Sequence, residues 1–175
     1  MPDSTQRNFI PVGIAVLTVS DTRTELDDKS GQTLIACLQK EGHTLRDRKI
    51  VIDDIERIRA VVSGWCMDAD IQVIITTGGT GVTGRDSTPE AVQPLLDKKI
   101  EGFGELFRMI SYEQIGASTI QSRAMAGVSN GTYVFCLPGS TNACVTAWAK
   151  LIGPQLDFRT RPCNLVELMP RLLEK

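Results

Sequence analysis

Short apolar segments rich in β-branched residues alternate with segments of helical spacing along the chain. Residues 12–19 and 71–75 are almost continuously apolar, which is typical of strands buried on both faces of a parallel sheet. Residues 45–52 and 132–137 predict two further strands. Helices are predicted where apolar residues recur every three or four positions, around residues 34–41, 55–65, 91–96, 103–110 and 143–152.

This alternation predicts an α/β fold. Strands separated by helices are joined by right-handed crossovers, so we expect a mostly parallel sheet between two helical layers, a three-layer α/β/α arrangement. The 175 residues contain no internal repeat and no linker rich in Pro, Gly or Ser, which predicts one domain spanning residues 1–175. Residues 1–9 are expected to be flexible. Residues 154–175 are expected to form a C-terminal extension that packs on the domain or on a neighbouring subunit.

Composition argues against several classes of function. Lys and Arg number 19 against 21 Asp and Glu, a formal net charge of −2, which does not fit a protein that coats nucleic acid. No apolar stretch approaches the ~20 residues that cross a bilayer, so no membrane association is expected. The polar beginning lacks the apolar segment of a signal peptide, and we therefore expect a cytoplasmic protein.

Cysteine and histidine chemistry is not expected. The 5 cysteines are scattered without a Cys-x-x-Cys spacing, and such thiols usually pack as small buried side chains. His43 is the single histidine and follows Gly42 in a predicted turn, so we interpret it as a surface residue.

The residues that follow the predicted strands carry the candidate chemistry. The longest such loop, residues 76–86 (TTGGTGVTGRD), is rich in glycine, whose lack of a Cβ lets backbone N–H groups approach an anion. Gly79, Gly81 and Gly84 fit G-x-G-x-x-G, but no strand ending in an acidic residue follows, so a dinucleotide site is not predicted. A P-loop is not predicted either, because residues 85–86 are Arg-Asp where Lys-Ser or Lys-Thr is required.

Two acidic side chains near these loops have competing interpretations. Asp53 and Asp86 follow different strands, and such carboxylates suit Mg²⁺ held between acids and phosphates. Helix capping is the alternative: Asp53 precedes Glu56 by three residues, and Ser87 with Glu90 fits a capping box. Thr88 followed by proline would fit an N-cap as well. From the residues alone, we expect a phosphate-bearing ligand with Mg²⁺.

Several motifs resemble the MogA/MoaB family of molybdenum cofactor biosynthesis, and its MoaB branch in particular. The resemblance extends over nearly the whole chain and is most specific in residues 76–81, 85–86 and 88–90. The MoaB branch is favoured by residues 137–141 (LPGST) and 160–164 (TRPCN). Further matches are residues 101–105 (EGFGE) and 122–124 (SRA).

The resemblance implies a compact α/β domain that binds molybdopterin. Active members of the family transfer AMP from ATP to the terminal phosphate of molybdopterin, with Mg²⁺, and release pyrophosphate. Their product is the substrate of a molybdate-inserting partner enzyme, and the family forms trimers or hexamers. Two alternatives remain open at this point: a non-catalytic molybdopterin-binding or carrier protein, and an oligomerising module.

The resemblance also assigns candidate site residues. Asp53 and Asp86 correspond to the acids of active relatives and are expected to position Mg²⁺ directly or through water, although Asp54 could take the place of Asp53. The expected phosphate cradle and opposing wall comprise Thr77, Gly78, Gly79, Thr80, Gly81, Gly139 and Ser140. Weaker candidates for the pocket are Ser20, Asp21 and Ser30. Arg85 and Arg123 either neutralise phosphate or are solvated surface side chains.

Overall fold

A computed structural model describes residues 7–175 and contains one mixed sheet between two layers of helices. The sheet has 6 strands in the order β2-β1-β3-β6-β5-β4. The first four in this order are parallel to one another, and β5 and β4 are antiparallel additions at one edge. The strands are β1 Gly13–Val19, β2 Thr44–Val51, β3 Val73–Thr77, β4 Lys98–Lys99, β5 Met125–Ser129 and β6 Thr132–Leu137.

The helices confirm the predicted alternation with strands. They are α1 Lys29–Lys40, α2 Ile55–Cys66, α3 Thr88–Val92, α4 Glu101–Ile115, α5 Thr141–Ala147, α6 Gly153–Leu156 and α7 Leu165–Leu168. Helix α5 continues directly into a π-helical turn, Trp148–Ile152, so the predicted helix over residues 143–152 is one continuous segment with two hydrogen-bonding patterns. Residues 7–175 also contain three 3₁₀ turns, which are Gln93–Leu95, Gly116–Gln121 and Met169–Arg171.

Two apolar cores, one on each face of the sheet, account for the three layers. Leu34 of α1, Phe107 of α4 and Trp148 after α5 pack on one face. Ile58 of α2 and Val92 of α3 pack on the other. Successive residues of a strand point to opposite faces, and a strand covered on both sides is therefore apolar throughout. Each fully buried side chain of this size contributes roughly 1.5–3 kcal/mol, and the expected α/β/α fold is confirmed.

The antiparallel edge was not predicted from the sequence. Strand β5 contains Gly127, at which a Cβ would lie 2.6 Å from the carbonyl oxygen of Lys98 on β4. A small residue is therefore required where the two backbones meet, and it removes the apolar signal of an ordinary strand.

The environment of His43 corrects its interpretation as a surface residue. The side chain is 5% exposed, and its Nδ1 accepts a hydrogen bond from the N–H of Val12. Phe9 and Trp148 pack on the ring at centroid distances of 4.9 and 5.9 Å. Burial lowers the pKa of His43, and the negative charge of Asp157 opposes this shift.

The C-terminal segment contacts the body of the domain. The hydroxyl of Tyr133 on β6 donates to the carbonyl oxygen of Leu165 at 2.9 Å, and Arg7 forms an ion pair with Glu167 at 2.9 Å. Of the N-terminal stretch expected to be flexible, residues 1–6 lie outside the described residues. Within residues 7–175, none of the helices combines the length and apolar character needed to cross a membrane.

Candidate functional site at the carboxyl ends of the central strands

A cleft opens where the strand order changes direction. The chain passes from β1 to β2 on one side and then crosses to β3 on the other side of β1, which makes the β1–β3 boundary a topological switch point. The cleft has a volume of about 530 Å³, and its walls include Val19 and Ser20 after β1, Gly78 after β3 and Gly139 after β6. This is the place where ligands bind in open α/β sheets.

The glycine-rich loop forms one wall of the cleft and requires glycine on steric grounds. Gly78 has φ +104°, and a Cβ there would lie 2.1 Å from the carbonyl oxygen of Val19. Gly79 has φ +68°, and its Cβ would lie 2.4 Å from Oγ1 of Thr88 and 2.6 Å from Oδ2 of Asp53. The backbone therefore lies against β1 and against the carboxylate at the end of β2, which no larger residue would allow.

Arg123 holds the loop in this conformation. Its N–H donates to the carbonyl oxygen of Thr80 at 2.9 Å, and its Nε donates to the carbonyl oxygen of Gly81 at 2.7 Å. Its guanidinium also donates to the carbonyl oxygen of Asp86 at 3.0 Å and forms an ion pair with Glu90. Arg123 therefore stabilises the conformation of the loop. The sequence had predicted either a phosphate-binding or a solvated surface arginine.

The N–H groups of the loop remain available to a ligand. Among the described residues, neither the N–H of Gly79 nor that of Thr80 has a hydrogen-bond acceptor. Both residues line the cleft. Backbone N–H groups that lack an acceptor carry a desolvation cost unless water or an anion accepts from them, so this segment suits an oxyanion.

The two carboxylates lie on either side of the glycine loop. Asp86 approaches Gly81, where a Cβ would lie 2.7 Å from Oδ2, and Asp53 approaches Gly79 as described above. The hydroxyl of Thr83 lowers the pKa of Asp86; burial opposes this, but the backbone N–H groups of Thr83 and Gly81 reinforce it. Asp86 is therefore ionised at neutral pH.

The hydrogen bonds of these acids correct the capping interpretations. Asp54, and not Asp53, caps helix α2 by accepting from the N–H of Arg57 at 2.9 Å. Asp53 instead accepts from the N–H and the hydroxyl of Ser87. Ser87 precedes α3 without capping it, and because Glu90 is held by Arg123 the predicted capping box does not form. Asp53 is therefore the better placed of the two neighbouring acids for a role in the site.

The hydroxyl of Thr88 likewise does not cap α3. It is buried and donates to the carbonyl oxygen of Gly78 at 2.9 Å, which ties the start of α3 to the glycine loop.

Asp21 and Arg85 connect three loops outside the cleft. Asp21 accepts from the N–H of Asp53 at 2.9 Å through Oδ1, and from the guanidinium of Arg85 at 2.8 Å through Oδ2. The Asp53 N–H and then the Arg85 guanidinium lower the pKa of Asp21. Both side chains are solvent-exposed and neither lines the cleft, so they position Asp53 instead of contacting a ligand there.

Two other predicted residues are buried beside the cleft. Thr77 donates to the carbonyl oxygen of Pro138 at 3.0 Å and joins the loops after β3 and β6. Ser30 has no exposed surface and accepts from the guanidinium of Arg23 at 2.7 Å. The residues from the prediction that do line the cleft are Ser20, Gly78, Gly79, Thr80, Gly81, Asp86, Gly139 and Ser140.

Part of the cleft was missed in the sequence. Arg23 lines it and was not singled out, because nothing in residues 20–24 distinguishes this arginine from a solvated one. The far wall comes from the end of α4 and the turn after it, with Ser111, Gln114 and Thr119 among its residues. Ser111 and Gln114 interrupt the apolar face of α4, which is the signal that could have identified these two residues.

The donor set is compatible with Mg²⁺ but not with a metal site formed by protein side chains alone. Within residues 7–175, no group of three or more His, Cys, Asp or Glu side chains could hold a metal ion. Mg²⁺ commonly keeps several waters and uses one or two carboxylates together with substrate phosphates. Asp86 lines the cleft and Asp53 lies against Gly79 outside its lining, so the residues present fit a Mg²⁺ ion that takes its remaining ligands from water and substrate phosphates.

The fold is that of an α/β domain, and the cleft at the switch point of its sheet has groups suited to an anionic small molecule. Residues 15–157 match a family described as a probable molybdopterin binding domain. The chain belongs to this family.

Relatives with known names agree with this assignment. Molybdenum cofactor biosynthesis protein B of Escherichia coli strain K12 is 56% identical over 156 residues, covering 89% of this chain and 92% of the relative. A crystal structure of molybdenum cofactor biosynthesis protein B has a TM-score of 0.83 and 49% identity, covering 86% of this chain and 94% of that one. The tungsten cofactor synthesizing protein MoaB from Pyrococcus furiosus has a TM-score of 0.74 and 39% identity, covering 82% and 91%. These homologues support a role in molybdenum cofactor biosynthesis.

Proposed function

We propose that this protein binds molybdopterin in the cleft and transfers AMP from ATP to its terminal phosphate, with Mg²⁺ and release of pyrophosphate. The observation that supports this best is the glycine loop, in which the N–H groups of Gly79 and Thr80 lack an acceptor while the carboxylate of Asp53 lies against Gly79 and that of Asp86 against Gly81. The cleft thus has donors for phosphate oxygens and, in Asp86, an acid for a divalent cation, while Asp53 lies against Gly79 outside the cleft lining.

The reaction joins two anions, and the protein's task is to align them and offset their repulsion. The loop N–H groups would hold phosphate oxygens, and the walls at Gly139 and Ser140 would fix the ligand from the opposite side. Asp53 and Asp86 would hold Mg²⁺, which when bound neutralises phosphate charge. The Asp21–Arg85 pair, through the N–H of Asp53, keeps the first carboxylate in place.

Pyrophosphate release tests this proposal. Purified protein incubated with ATP, Mg²⁺ and molybdopterin should release pyrophosphate and form adenylylated molybdopterin. Asp86→Asn keeps the volume of the side chain and removes its charge, and it should lower the rate at least about 100-fold because electrostatic groups of this kind contribute that much. Asp70→Asn is the matched control, since Asp70 is exposed and precedes the amino end of β3, whereas the cleft lies at the carboxyl ends of the strands. Turnover by Asp86→Asn at the control's rate would remove Asp86 from the mechanism.

A non-catalytic molybdopterin-binding or carrier protein is the second candidate. It is favoured by the engagement of Asp53 with Ser87, which occupies one carboxylate oxygen with two hydrogen bonds. This function predicts tight binding of molybdopterin without any release of pyrophosphate from ATP. The assay above therefore distinguishes the two functions directly.

The proposal extends to assembly and location. A homo-oligomer, trimer or hexamer, is supported by apolar side chains that α4 leaves exposed, with Met109 60% and Tyr112 62% accessible. We place this protein in the cytoplasm, where a molybdate-inserting enzyme would receive the product. Light scattering of the wild type and of Met109→Glu tests the assembly: a mass of three or six chains that falls in the variant supports it, and a monomeric wild type contradicts it.

A further inference from the structure

The cleft has one cationic side chain, and hydrogen bonds to neighbouring residues fix its position. Within the described part of the chain, Arg23 is the only Lys, Arg or His that lines the cleft. Its Nη1 donates to Oγ of Ser30 at 2.7 Å, and its Nη2 donates to the carbonyl oxygen of Gly139 at 2.9 Å. The guanidinium therefore bridges the loop after β1 and the loop after β6, across the mouth of the cleft.

A buried acid supports this bridge. Asp28 has no exposed surface, and its Oδ1 accepts from the N–H of Gly31 at 3.0 Å and from Oγ of Ser30 at 3.4 Å. Its Oδ2 accepts from Oγ1 of Thr18 at 2.7 Å and forms an ion pair with Arg48 at 3.0 Å. Oγ of Ser30 accepts from Arg23, and its own hydrogen has Oδ1 of Asp28 as a nearby acceptor, so the buried acid supports the orientation in which Ser30 serves Arg23.

The other arginines near the cleft are already neutralised. Arg85 is paired with Asp21 and Arg123 with Glu90, and both pairs lie outside the cleft walls. Arg23 has no carboxylate partner among the described residues; both of its acceptors are uncharged. A guanidinium has five N–H donors in a planar fork, so donors remain after these two bonds.

We propose that Arg23 binds a phosphate group of the ligand, and that Ser30 and Asp28 are positioning residues that hold its guanidinium in the cleft. This inference rests on the proposed function for the identity of the ligand. The cleft contains the carboxylate of Asp86, which repels a polyanion, and a cationic side chain in the same cleft offsets this repulsion in addition to any bound Mg²⁺. A charge-assisted, forked contact from Arg23 supplies that cation at a fixed place.

The test compares two ligands that differ only in the phosphate. Affinity of the full-length protein is measured by anaerobic calorimetry for molybdopterin and for the same pterin after removal of its terminal phosphate. Arg23→Gln should weaken binding of molybdopterin roughly 10- to 100-fold, the usual value of a hydrogen bond between charged groups, and should change binding of the dephosphorylated pterin less than about 3-fold. Arg23→Lys should restore part of the loss, because it keeps the charge without the fork.

Further variants and a second ligand complete the design. Ser30→Ala should give a smaller loss with the same preference for the phosphorylated ligand, and Arg46→Gln, at the exposed amino end of β2, is the matched control. A loss confined to ATP with Mg²⁺ would assign the same phosphate-binding role to the nucleotide. An equal loss for both pterins, or no loss for any ligand in Arg23→Gln, would overturn the inference.

The outcome is separable from the proposed function. If wild-type protein binds the phosphorylated pterin selectively but releases no pyrophosphate, AMP transfer fails and the role of Arg23 stands. If Arg23→Gln transfers AMP with unchanged KM for both substrates, the role of Arg23 fails and AMP transfer stands.

Discussion

Replacing Gly79 with alanine should damage the site by a predictable amount. The residue has φ +68°, a conformation that costs an L-residue about 1–2 kcal/mol. The new Cβ would also lie 2.4 Å from Oγ1 of Thr88 and 2.6 Å from Oδ2 of Asp53, closer than any van der Waals contact. Relieving such overpacking costs about 1–3 kcal/mol, so the expected loss of unfolding free energy is about 2–5 kcal/mol.

The structure also predicts where the strain is relieved. Thr88 is fully buried and donates to the carbonyl oxygen of Gly78 at 2.9 Å, whereas Asp53 is half-buried and can move outward if its hydrogen bonds from Ser87 break. Gly79→Ala should therefore displace the Asp53 carboxylate and weaken Mg²⁺-dependent turnover in addition to lowering stability. A domain whose stability lies well within the typical range of about 5–15 kcal/mol still folds after this loss, and both effects can then be measured.

Urea unfolding and turnover measure the two effects, with Gly84→Ala as the control. Gly84 belongs to the same loop, has no positive φ, and a Cβ there meets nothing within 4 Å. Its replacement should leave turnover unchanged and raise stability by about 0.4–1 kcal/mol, because alanine reduces the entropy of the unfolded chain. Equal stability and turnover in the two variants would refute the steric argument for Gly79.

Three further predictions concern buried and tied side chains. Burial lowers the pKa of His43, so as the pH falls below about 6.5 the unfolded state gains a proton that the folded state lacks, and the wild type loses stability. His43→Gln should therefore lose less unfolding free energy than the wild type between pH 7.5 and 5.5, as measured by urea unfolding. Arg123→Ala should lower the free energy of unfolding, measured in urea, by about 1–3 kcal/mol and should weaken phosphate binding, since the carbonyl oxygens of Gly81 and Asp86 lose their side-chain donor. Burial raises the pKa of Cys136 to about 12 and that of Cys144 to about 11, so a thiol reagent should label exposed Cys163 in the native protein and these two only after unfolding.

Most of the fold was predictable because the central strands are covered on both faces. Burial of every residue of Gly13–Val19 forces an apolar run that no surface element would tolerate, and the same holds for Val73–Thr77 apart from its threonines. Strand order was not predictable, because it depends on which helix covers which face, and the antiparallel edge was hidden by small residues such as Gly127.

The glycine wall of the cleft was predictable for a similar reason. Loops at the carboxyl ends of parallel strands meet at one edge of the sheet, so the residues after β1, β3 and β6 had to converge. What the sequence could not show is the direction of each side chain. Ser20, Asp21 and Arg23 belong to one loop, yet Asp21 points away to Arg85 while Arg23 turns into the cleft.

Those directions are decided by partners far away in the chain. Arg23 is held by Gly139, 116 residues further along, and Asp21 by Arg85, 64 residues away. When each loop is considered alone, Asp21 is the stronger candidate because carboxylates suit Mg²⁺. Arg23 is overlooked because most arginines are solvated.

The distribution of charge follows from these long-range pairs. Asp21 and Glu90 each neutralise an arginine outside the cleft, and Asp28 is neutralised by Arg48 beneath it. Pairing of this kind leaves Arg23, Asp53 and Asp86 as the charged side chains without an oppositely charged partner near the cleft, beside the amides of the glycine loop. A phosphate is the ligand group that can use both sets at once, since it accepts from amides and guanidinium and shares a cation with carboxylates. The net charge of −2 does not reveal this local arrangement. Ion pairs contribute nothing to the net charge, whereas the polarity of the cleft depends on the charged groups that have no such partner.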